Sequence, residues 1–277
     1  MTGYELRPFR SMADYRACVR LQEETWGEGF SERVPAAILK VGQILGGVSA
    51  GAWAPGGELA GFVFGLTGLR DGNVVHWSDM LAVGRAHRDA GLGRRLKAYQ
   101  RARLLEKGVE TMFWTFDPLQ ARNAHLNLHH LGAVVREYRE NMYGDTDSPL
   151  HAGIGTDRFV ARWEMTSPRV VARMDGAGPP GDVLDPDGAL RVLGWVERED
   201  GRPAPGEPDL AAVDESAPGG LLMAIPSNLP TLMHADPGLA RAWREATRAI
   251  CRAVLDRGGE VREFYRGPLT SDYLLTP

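Results

Sequence analysis

The chain has 277 residues, of which 43% are hydrophobic and 25% charged, and its formal net charge is −4. This balance predicts a globular protein with a sizeable core, and the slightly acidic charge argues against a nucleic-acid partner. The sequence has neither an apolar signal segment nor a run of about twenty apolar residues, so we expect no membrane partner. Its two cysteines, Cys18 and Cys251, argue against a disulfide framework and favour the reducing cytoplasm.

The N-terminal part of the chain predicts two helices followed by a meander of strands. Ser11, with Asp14 three residues later, resembles a capping box and starts the first helix. Pro35 suits the first turn of a second helix. Turn residues then separate runs with strand composition; the predicted elements are a helix at 36–45, strands at 47–54 and 58–69, and a strand that follows the Asp71-Gly72-Asn73 turn.

The most informative segment comes next and combines a strand end, a turn rich in arginine and glycine, and a cationic helix. Residues 80–83 form the apolar end of the strand. Gly91 and Gly93 carry no Cβ, so backbone amides can approach phosphates at the positive end of the helix dipole. Arg88 and Arg94 add positive charge at the same place. The segment therefore predicts a phosphate-binding turn.

The spacing of Arg88, Gly91 and Gly93 resembles the acyl-CoA pyrophosphate loop of the GNAT superfamily of N-acyltransferases. A dinucleotide fingerprint would need glycine in place of Leu96, and a P-loop would need a Gly-Lys-Ser/Thr ending. The resemblance covers about the first 165 residues and implies an α/β (α+β) fold with a central mixed, mostly antiparallel sheet flanked by helices. The later elements also follow the GNAT order, with a strand at 111–116, a helix at 121–131, and closing strands at 133–143 and 158–165.

A second segment narrows the resemblance. Residues 115–144, followed by the Gly155-Thr156-Asp157-Arg158-Phe159 run, resemble a GNAT branch that has a long C-terminal extension. Members of that branch are associated with genes for N-acylamino acid racemases. The resemblance implies N-acylation of amino acids, with acetyl and succinyl as the candidate groups, although fold and loop do not fix the acceptor.

The resemblance also assigns cofactor-binding residues. It implies that strand backbone accompanies the pantetheine arm, that loop amides hold the pyrophosphate, and that an asparagine early in the later helix binds the acyl-CoA arm. In chain order these residues are Leu81, Ala82, Val83, Arg88, Asp89, Ala90, Gly91, Leu92, Gly93, Arg94 and Asn123. The implied co-substrate is acyl-CoA, either acetyl-CoA or succinyl-CoA.

We expect no metal. His125 and His129 stand four residues apart and would share a helix face, as zinc ligands can. A zinc-protease helix would need glutamate where Leu126 stands.

Three residues are candidates for the base that deprotonates an acceptor amine. Asp79 lies on the strand that ends at the loop, where desolvation could raise its pKa. His76 has the more suitable intrinsic pKa but lies farther from the loop. Glu24 lies near the loop between the first two helices, which in this superfamily commonly covers the acceptor. Two of them have a structural alternative, which is pairing with backbone amides for Asp79 and an exposed helix charge for Glu24.

The acid that protonates the departing CoA thiolate is less well defined. The position that often carries a tyrosine acid in this superfamily is Leu128 here. Tyr143 is the proposed replacement, and Tyr138, His125 and His129 are nearby alternatives.

The remaining residues predict a smaller C-terminal α+β subdomain. We expect domains at 1–166 and 167–277, with a linker at about 175–188 that is rich in Gly, Pro and Asp. The predicted elements of this subdomain are a helix at 239–255 and strands at 193–197, 221–225, 261–265 and 273–276. The subdomain could wall the acceptor pocket, form a homodimer interface or cap a sheet edge.

The sequence therefore predicts an acyl-CoA-dependent N-acyltransferase that acts on the amine of a small molecule, an amino acid being one option. Two alternatives stay open. One is a non-catalytic acyl-CoA-binding protein, which the missing tyrosine favours. The other is an enzyme that acylates a protein or peptide amine.

Overall fold

The computed structural model describes residues 3–144, 153–175, 188–215 and 217–277. The chain forms two compact units, Met1–Trp114 with Glu164–Ser167, and Thr115–Trp163 with Pro168–Pro277. Across these described ranges, no helix has both the length and the apolar character needed to cross a membrane.

Among its described residues, the first unit contains five strands and three α-helices. In its sheet the strands follow the order β1-β2-β3-β4-β5. Neighbours are antiparallel except β4 and β5, which run parallel, so the predicted mixed, mostly antiparallel sheet with flanking helices is confirmed. The elements are β1 Glu5–Pro8, α1 Met12–Trp26, α2 Ala36–Ile44, β2 Val48–Trp53, β3 Leu59–Arg70, β4 Asn73–Val83, α3 Leu92–Leu105 and β5 Thr111–Phe116.

Local sequence accounts for the ends of several of these elements. The side chain of Ser11 caps α1 by accepting a hydrogen bond from the amide of Asp14, as the capping pattern predicts. Asp71 and Gly72 adopt φ values of 52° and 78°, which suit the tight turn between β3 and β4. Helix α1 packs its buried face, including Tyr15 and Cys18, into the core of this unit. The helix and the hairpin thereby fix the position of β4.

Strand β4 carries an irregularity in its middle. Phe64 pairs with Met80 and Leu66 pairs with Trp77, so β4 contains one extra residue opposite Gly65. A Cβ at Gly65 would lie 2.3 Å from His76 Nε2, so only glycine fits there. On its other side β4 pairs with β5 only as far as Trp77. Beyond that residue, the β5-facing edge of β4 has no strand partner among the described pairs.

The second unit is built around six strands in the order β7-β6-β12-β13-β11-β8, with β9 and β10 as a separate antiparallel pair. The six are antiparallel except β11 and β8, which run parallel. The elements are α4 Ala121–Ala124, β6 Val134–Arg139, β7 Arg158–Glu164, α5 Pro168–Asp175, β8 Leu190–Leu193, β9 Trp195–Glu197, β10 Pro203–Pro205, β11 Leu221–Pro226, α6 Leu229–Ala235, α7 Pro237–Leu255, β12 Glu260–Tyr265 and β13 Thr270–Thr276.

Long-range contacts tie residues 115–163 to the C-terminal residues. Val135 of β6 pairs with Val261 of β12, and Tyr273 donates a hydrogen bond to the carbonyl of Pro118 at 2.7 Å. The bounds of the two compact units therefore differ from the predicted domain boundary after residue 166. That domain boundary stays a prediction. The predicted linker at 175–188 lies outside the described residues except for its first and last residue.

Several predicted elements need correction. The helix predicted at 121–131 is α-helical only to Ala124 and continues as a π-helix to His130. The strand predicted at 133–143 ends at Arg139, because Asn141 adopts a left-handed φ of 45°. The strand predicted at 193–197 is two strands that separate at Gly194. Helices α5 and α6 have no counterpart among the predicted elements.

Candidate functional site

The glycine turn between β4 and α3 has the geometry of an anion-binding helix N-terminus. Gly91 is the N-cap of α3 and lies in the left-handed region, with φ 69° and ψ 10°, and as a glycine it supplies no side chain to cap the helix. Asp89, two residues earlier, has φ 64°. The amide of Arg95 makes the first intrahelical bond, to the carbonyl of Gly91 at 3.2 Å. The amides of the first turn, from Leu92 to Arg94, therefore have no carbonyl within the helix and lie at its positive end.

The arginines near this turn divide into two groups. Arg88 and Arg94 are exposed beside the turn, and Arg88 Nε approaches the carbonyl of Val83 at 3.5 Å. Arg95 donates to the carbonyl of Tyr4, and Arg101 donates to the carbonyl of Met165 at 2.8 Å. Arg88 and Arg94 therefore add positive charge to the turn, whereas Arg95 and Arg101 hydrogen-bond to other segments of the first unit.

The end of β4 leads directly into this turn. Ala82 is buried in the core, whereas Leu81 and Val83 are half-buried on the opposite face. Ala90 is half-buried and Leu92 is fully buried, so the hydrophobic side chain of Leu92 anchors the start of α3. Gly93 lies in the first turn of α3 and is half-buried.

Asp79 lies in the irregular part of β4, on the face opposite the core. Its side chain is exposed, yet the protein atoms around it desolvate the carboxylate, and this effect together with the negative charge of Glu32 raises its pKa. Glu32 belongs to the loop between α1 and α2. The structure thus places a second carboxylate near Asp79, and this carboxylate is not Glu24.

Glu24 is exposed on the last turn of α1. Glu24 is close in sequence to the α1–α2 loop, whereas Glu32, which acts electrostatically on Asp79, lies within that loop. No sequence signal separates Glu32 from the other acidic residues around it, Glu23, Glu24 and Glu28.

His76 does not have the environment expected of a base. It is fully buried, and its Nδ1 and Nε2 lie 3.1 Å from Thr67 Oγ1 and 2.9 Å from Gln100 Nε2. Burial, with smaller contributions from Lys97 and Lys107, lowers the pKa of His76 to about 3. An imidazole that is enclosed and already hydrogen-bonded cannot reach a substrate amine, so we do not retain His76 as a candidate.

A buried polar network extends from His76 along the core face of β4. Gln100 accepts a hydrogen bond from Ser78 Oγ at 3.0 Å. Ser78 Oγ in turn accepts one from Lys97 Nζ at 2.8 Å. Lys97 Nζ lies 3.8 Å from the ring centre of Trp114, and burial lowers the pKa of Lys97. The network joins α3 to the irregular part of β4 next to Asp79. No pattern in the sequence predicts it.

The remaining predicted residues belong to the second unit. Asn123 is exposed on α4. Tyr143 is 42% exposed, its hydroxyl lies 2.9 Å from Thr115 Oγ1, and the guanidinium of Arg158 lies 5.2 Å from its ring centre. Its hydroxyl is therefore accessible and oriented by a neighbour.

The alternative acids are enclosed or otherwise engaged. Leu128 and His129 are buried. Tyr138 donates a hydrogen bond to Asp157, and burial, chiefly, raises the pKa of its hydroxyl. His125 stacks on His129 with ring centres 4.7 Å apart. Among the residues that the structure describes, no group of three or more His, Cys, Asp or Glu is arranged to hold a metal ion.

Comparison with known proteins gives structural likenesses only. No protein-family model matches the chain, and no curated protein matches it. The ribosomal-protein-S18-alanine N-acetyltransferase from Escherichia coli is 17% identical, with a TM-score of 0.47, over 59% of this chain and 95% of that one. A GNAT-family acetyltransferase from Streptococcus pneumoniae is 18% identical, with a TM-score of 0.47, over 57% and 98% of the two chains. The NatC complex bound to Gag peptide and CoA is 12% identical, with a TM-score of 0.47, over 59% and 99%.

Proposed function

We propose that this chain is a GNAT-type N-acyltransferase that transfers an acetyl or succinyl group from CoA to the amine of a small molecule. The observation that carries the proposal is the glycine turn before α3. There Gly91 adopts a left-handed conformation and supplies no capping side chain, and the amides from Leu92 to Arg94 lie at the positive end of the helix. A pyrophosphate supplies the negative charge that such a helix end lacks.

The end of β4 supplies a binding edge for the rest of the co-substrate. Pairing with β5 stops at Trp77, so backbone groups from Asp79 to Val83 on that edge are available for hydrogen bonds to an extended, amide-containing arm. Leu81 and Val83 add half-buried apolar surface. The pantetheine arm of CoA has this chemistry, and it would lead from the glycine turn toward Asp79.

Asp79 is the proposed base. It would take a proton from the acceptor ammonium, directly or through one water, and the neutral amine would attack the thioester carbonyl. A bond forms between the amine nitrogen and the carbonyl carbon, and the bond from that carbon to sulfur breaks. The CoA thiolate then takes a proton from Tyr143, the proposed donor. The attacking nitrogen loses its second proton as the amide forms, and this proton restores the Tyr143 hydroxyl through solvent. Asn123 is proposed to bind the acyl-CoA arm.

The first test changes the glycine turn. In Gly91→Val a β-branched residue replaces glycine at φ 69°, a conformation that valine avoids, so the amides leave their present positions. We expect CoA affinity, measured by calorimetric titration, to fall at least about tenfold, which corresponds to ~1.4 kcal/mol.

Gly108→Val is the matched control. Gly108 also has a positive φ, of 73°, and a Cβ there would meet no atom within 4 Å, as at Gly91. Gly108 lies in the turn between α3 and β5, at the other end of α3 from the glycine turn. The control should keep its CoA affinity. Equal affinities for CoA in the two folded variants would contradict the proposed phosphate site.

A non-catalytic acyl-CoA-binding protein is the second candidate function. It is favoured by Leu128, which is fully buried where a tyrosine acid is expected in this superfamily. Intact binding of CoA without transfer to any amine would support it over the enzyme. The homodimer and the small-molecule class of the acceptor stay predictions.

A further inference from the structure

A cleft of about 410 Å³ lies within the second unit, beside helix α7. The proposed acyl transfer assigns no role to the cleft. One wall is formed by Arg241, Arg244, Glu245 and Arg248, and the facing wall includes the turn 153–156. The three arginines are spaced by three and four residues, so they lie on one face of the helix.

Two of these arginines are held rigidly by buried carboxylates. Arg244 Nη2 donates to both carboxylate oxygens of Asp117, at 2.8 and 2.7 Å. Arg248 Nε and Nη2 donate to the two oxygens of Asp157, at 2.9 and 3.0 Å. Asp117 and Asp157 are both buried, with 4% and 0% exposure. The positions of the two guanidinium groups are therefore fixed before any ligand arrives.

Arg244 and Arg241 also present donor groups at the cleft. Arg244 is 1% exposed, and its Nη1 has no hydrogen-bond partner among the residues that the structure describes. Arg241 is exposed at the cleft and donates through Nε to the carbonyl of Gly153 at 3.2 Å. In the described part of the chain Arg241 forms no ion pair with a carboxylate. A buried guanidinium nitrogen without an acceptor is uncommon in proteins, and a bound acceptor is one explanation for it.

The facing turn contains two glycines in the left-handed region. Gly153 and Gly155 both have φ 78°. A Cβ on Gly153 would lie 3.5 Å from Arg241 Nη2, and one on Gly155 would lie 3.5 Å from Arg248 Nη2. Both guanidinium groups therefore lie close to this turn at the same cleft.

We infer that this cleft binds a small molecule through its carboxylate, with Arg241 as the main anchor and Arg244 as the buried donor beside it. A carboxylate fits the planar, forked donors of arginine. Glu245 on the same wall disfavours a polyanion such as phosphate, because like charges repel. An amino acid complements both the arginines and Glu245, because its carboxylate can pair with the arginines and its ammonium with Glu245. The inference does not depend on the proposed acyltransferase activity, because binding here requires no CoA.

The test uses the full chain without CoA and four probes in calorimetric titration. N-acetylalanine offers a carboxylate alone, alanine a carboxylate with an ammonium, alaninamide an ammonium alone, and the fourth probe is inorganic phosphate. We expect at least one of the two carboxylate probes to bind and alaninamide not to bind. Arg241→Gln should weaken that binding at least about tenfold, because it removes a charge-assisted hydrogen bond.

Arg252→Gln is the matched control. Arg252 is exposed on the same helix and pairs at the surface with Glu140 and Asp256, outside the cleft lining. It should leave carboxylate affinity within about twofold, as expected for a surface ion pair. The inference is overturned if neither carboxylate probe binds at millimolar concentration, if phosphate binds more tightly than both, or if the two variants lose affinity equally.

Discussion

Replacing Asp79 with asparagine is expected to lower kcat for acyl transfer by about 10²- to 10⁴-fold, the usual effect of losing one general base. Asparagine keeps the shape of the side chain but cannot accept the amine proton. CoA affinity should be unchanged, because the phosphate site lies at the other end of the β4 edge. Steady-state rates of acyl transfer give kcat, and calorimetric titration of the same protein gives its CoA affinity.

The pH dependence of the Asp79 variant gives an independent check. Desolvation, with the charge of Glu32, raises the pKa of Asp79, so the ionised base of the wild-type enzyme is lost as pH falls through that raised pKa. As pH rises, more of the acceptor amine arrives already neutral, so the deficit of Asp79→Asn should shrink.

Asp71→Asn is the matched control for this prediction. Asp71 is an exposed aspartate at the other end of β4, where its φ of 52° is one that asparagine tolerates. This variant should keep wild-type kcat. If Asp79→Asn also keeps wild-type kcat across neutral pH, or loses CoA affinity instead, Asp79 is structural and the base lies elsewhere.

Replacing Arg244 with methionine is expected to destabilise the protein by about 3–5 kcal/mol, the typical effect of removing one partner of a buried ion pair. The change removes the two hydrogen bonds that Arg244 Nη2 donates to the buried carboxylate of Asp117, and Arg158 Nη1, at 4.0 Å from Asp117 Oδ2, is too distant to replace them. Urea unfolding followed by circular dichroism measures the loss as a lower midpoint.

Two further variants give this prediction its controls. Arg257→Met breaks an ion pair with Asp214 in which both side chains are more than half exposed, so it should change stability by less than about 1 kcal/mol. Adding Asp117→Asn to Arg244→Met removes the buried carboxylate charge that Arg244 balances in the wild type and should recover part of the lost stability. A loss for Arg244→Met no larger than that for Arg257→Met would show that the buried pair does not hold the second unit together.

Local features of the first unit could be predicted from the sequence because short-range chemistry determines them. Ser11 caps α1, the Asp71-Gly72 turn joins β3 to β4, and Gly91 adopts the left-handed conformation that its lack of a Cβ permits. Each needs only a few neighbouring residues. The predicted order of strands and helices followed from such signals.

Features that depend on distant residues were missed. Arg244 lies 127 residues from Asp117, and no local pattern links them. The burial of His76 depends on Gln100 from α3, so its intrinsic pKa was a poor guide to its role. The extra residue in β4 depends on Gly65 in the facing strand. One signal was available, since the spacing of Arg241, Arg244 and Arg248 already places three guanidinium groups on one helix face.

Release of CoA thiol is the most direct measurement of the proposed transfer of an acyl group from CoA to a small amine. The purified full chain is mixed with acetyl-CoA or succinyl-CoA and a panel of L- and D-amino acids and simple amines. Free CoA thiol is followed by absorbance and the acylated amine by mass spectrometry. We predict thiol release that requires an amine and yields an N-acylated product. Its rate should fall in Gly91→Val and in Asp79→Asn. Tight CoA binding without transfer to any amine would contradict the enzyme and leave the non-catalytic acyl-CoA-binding protein.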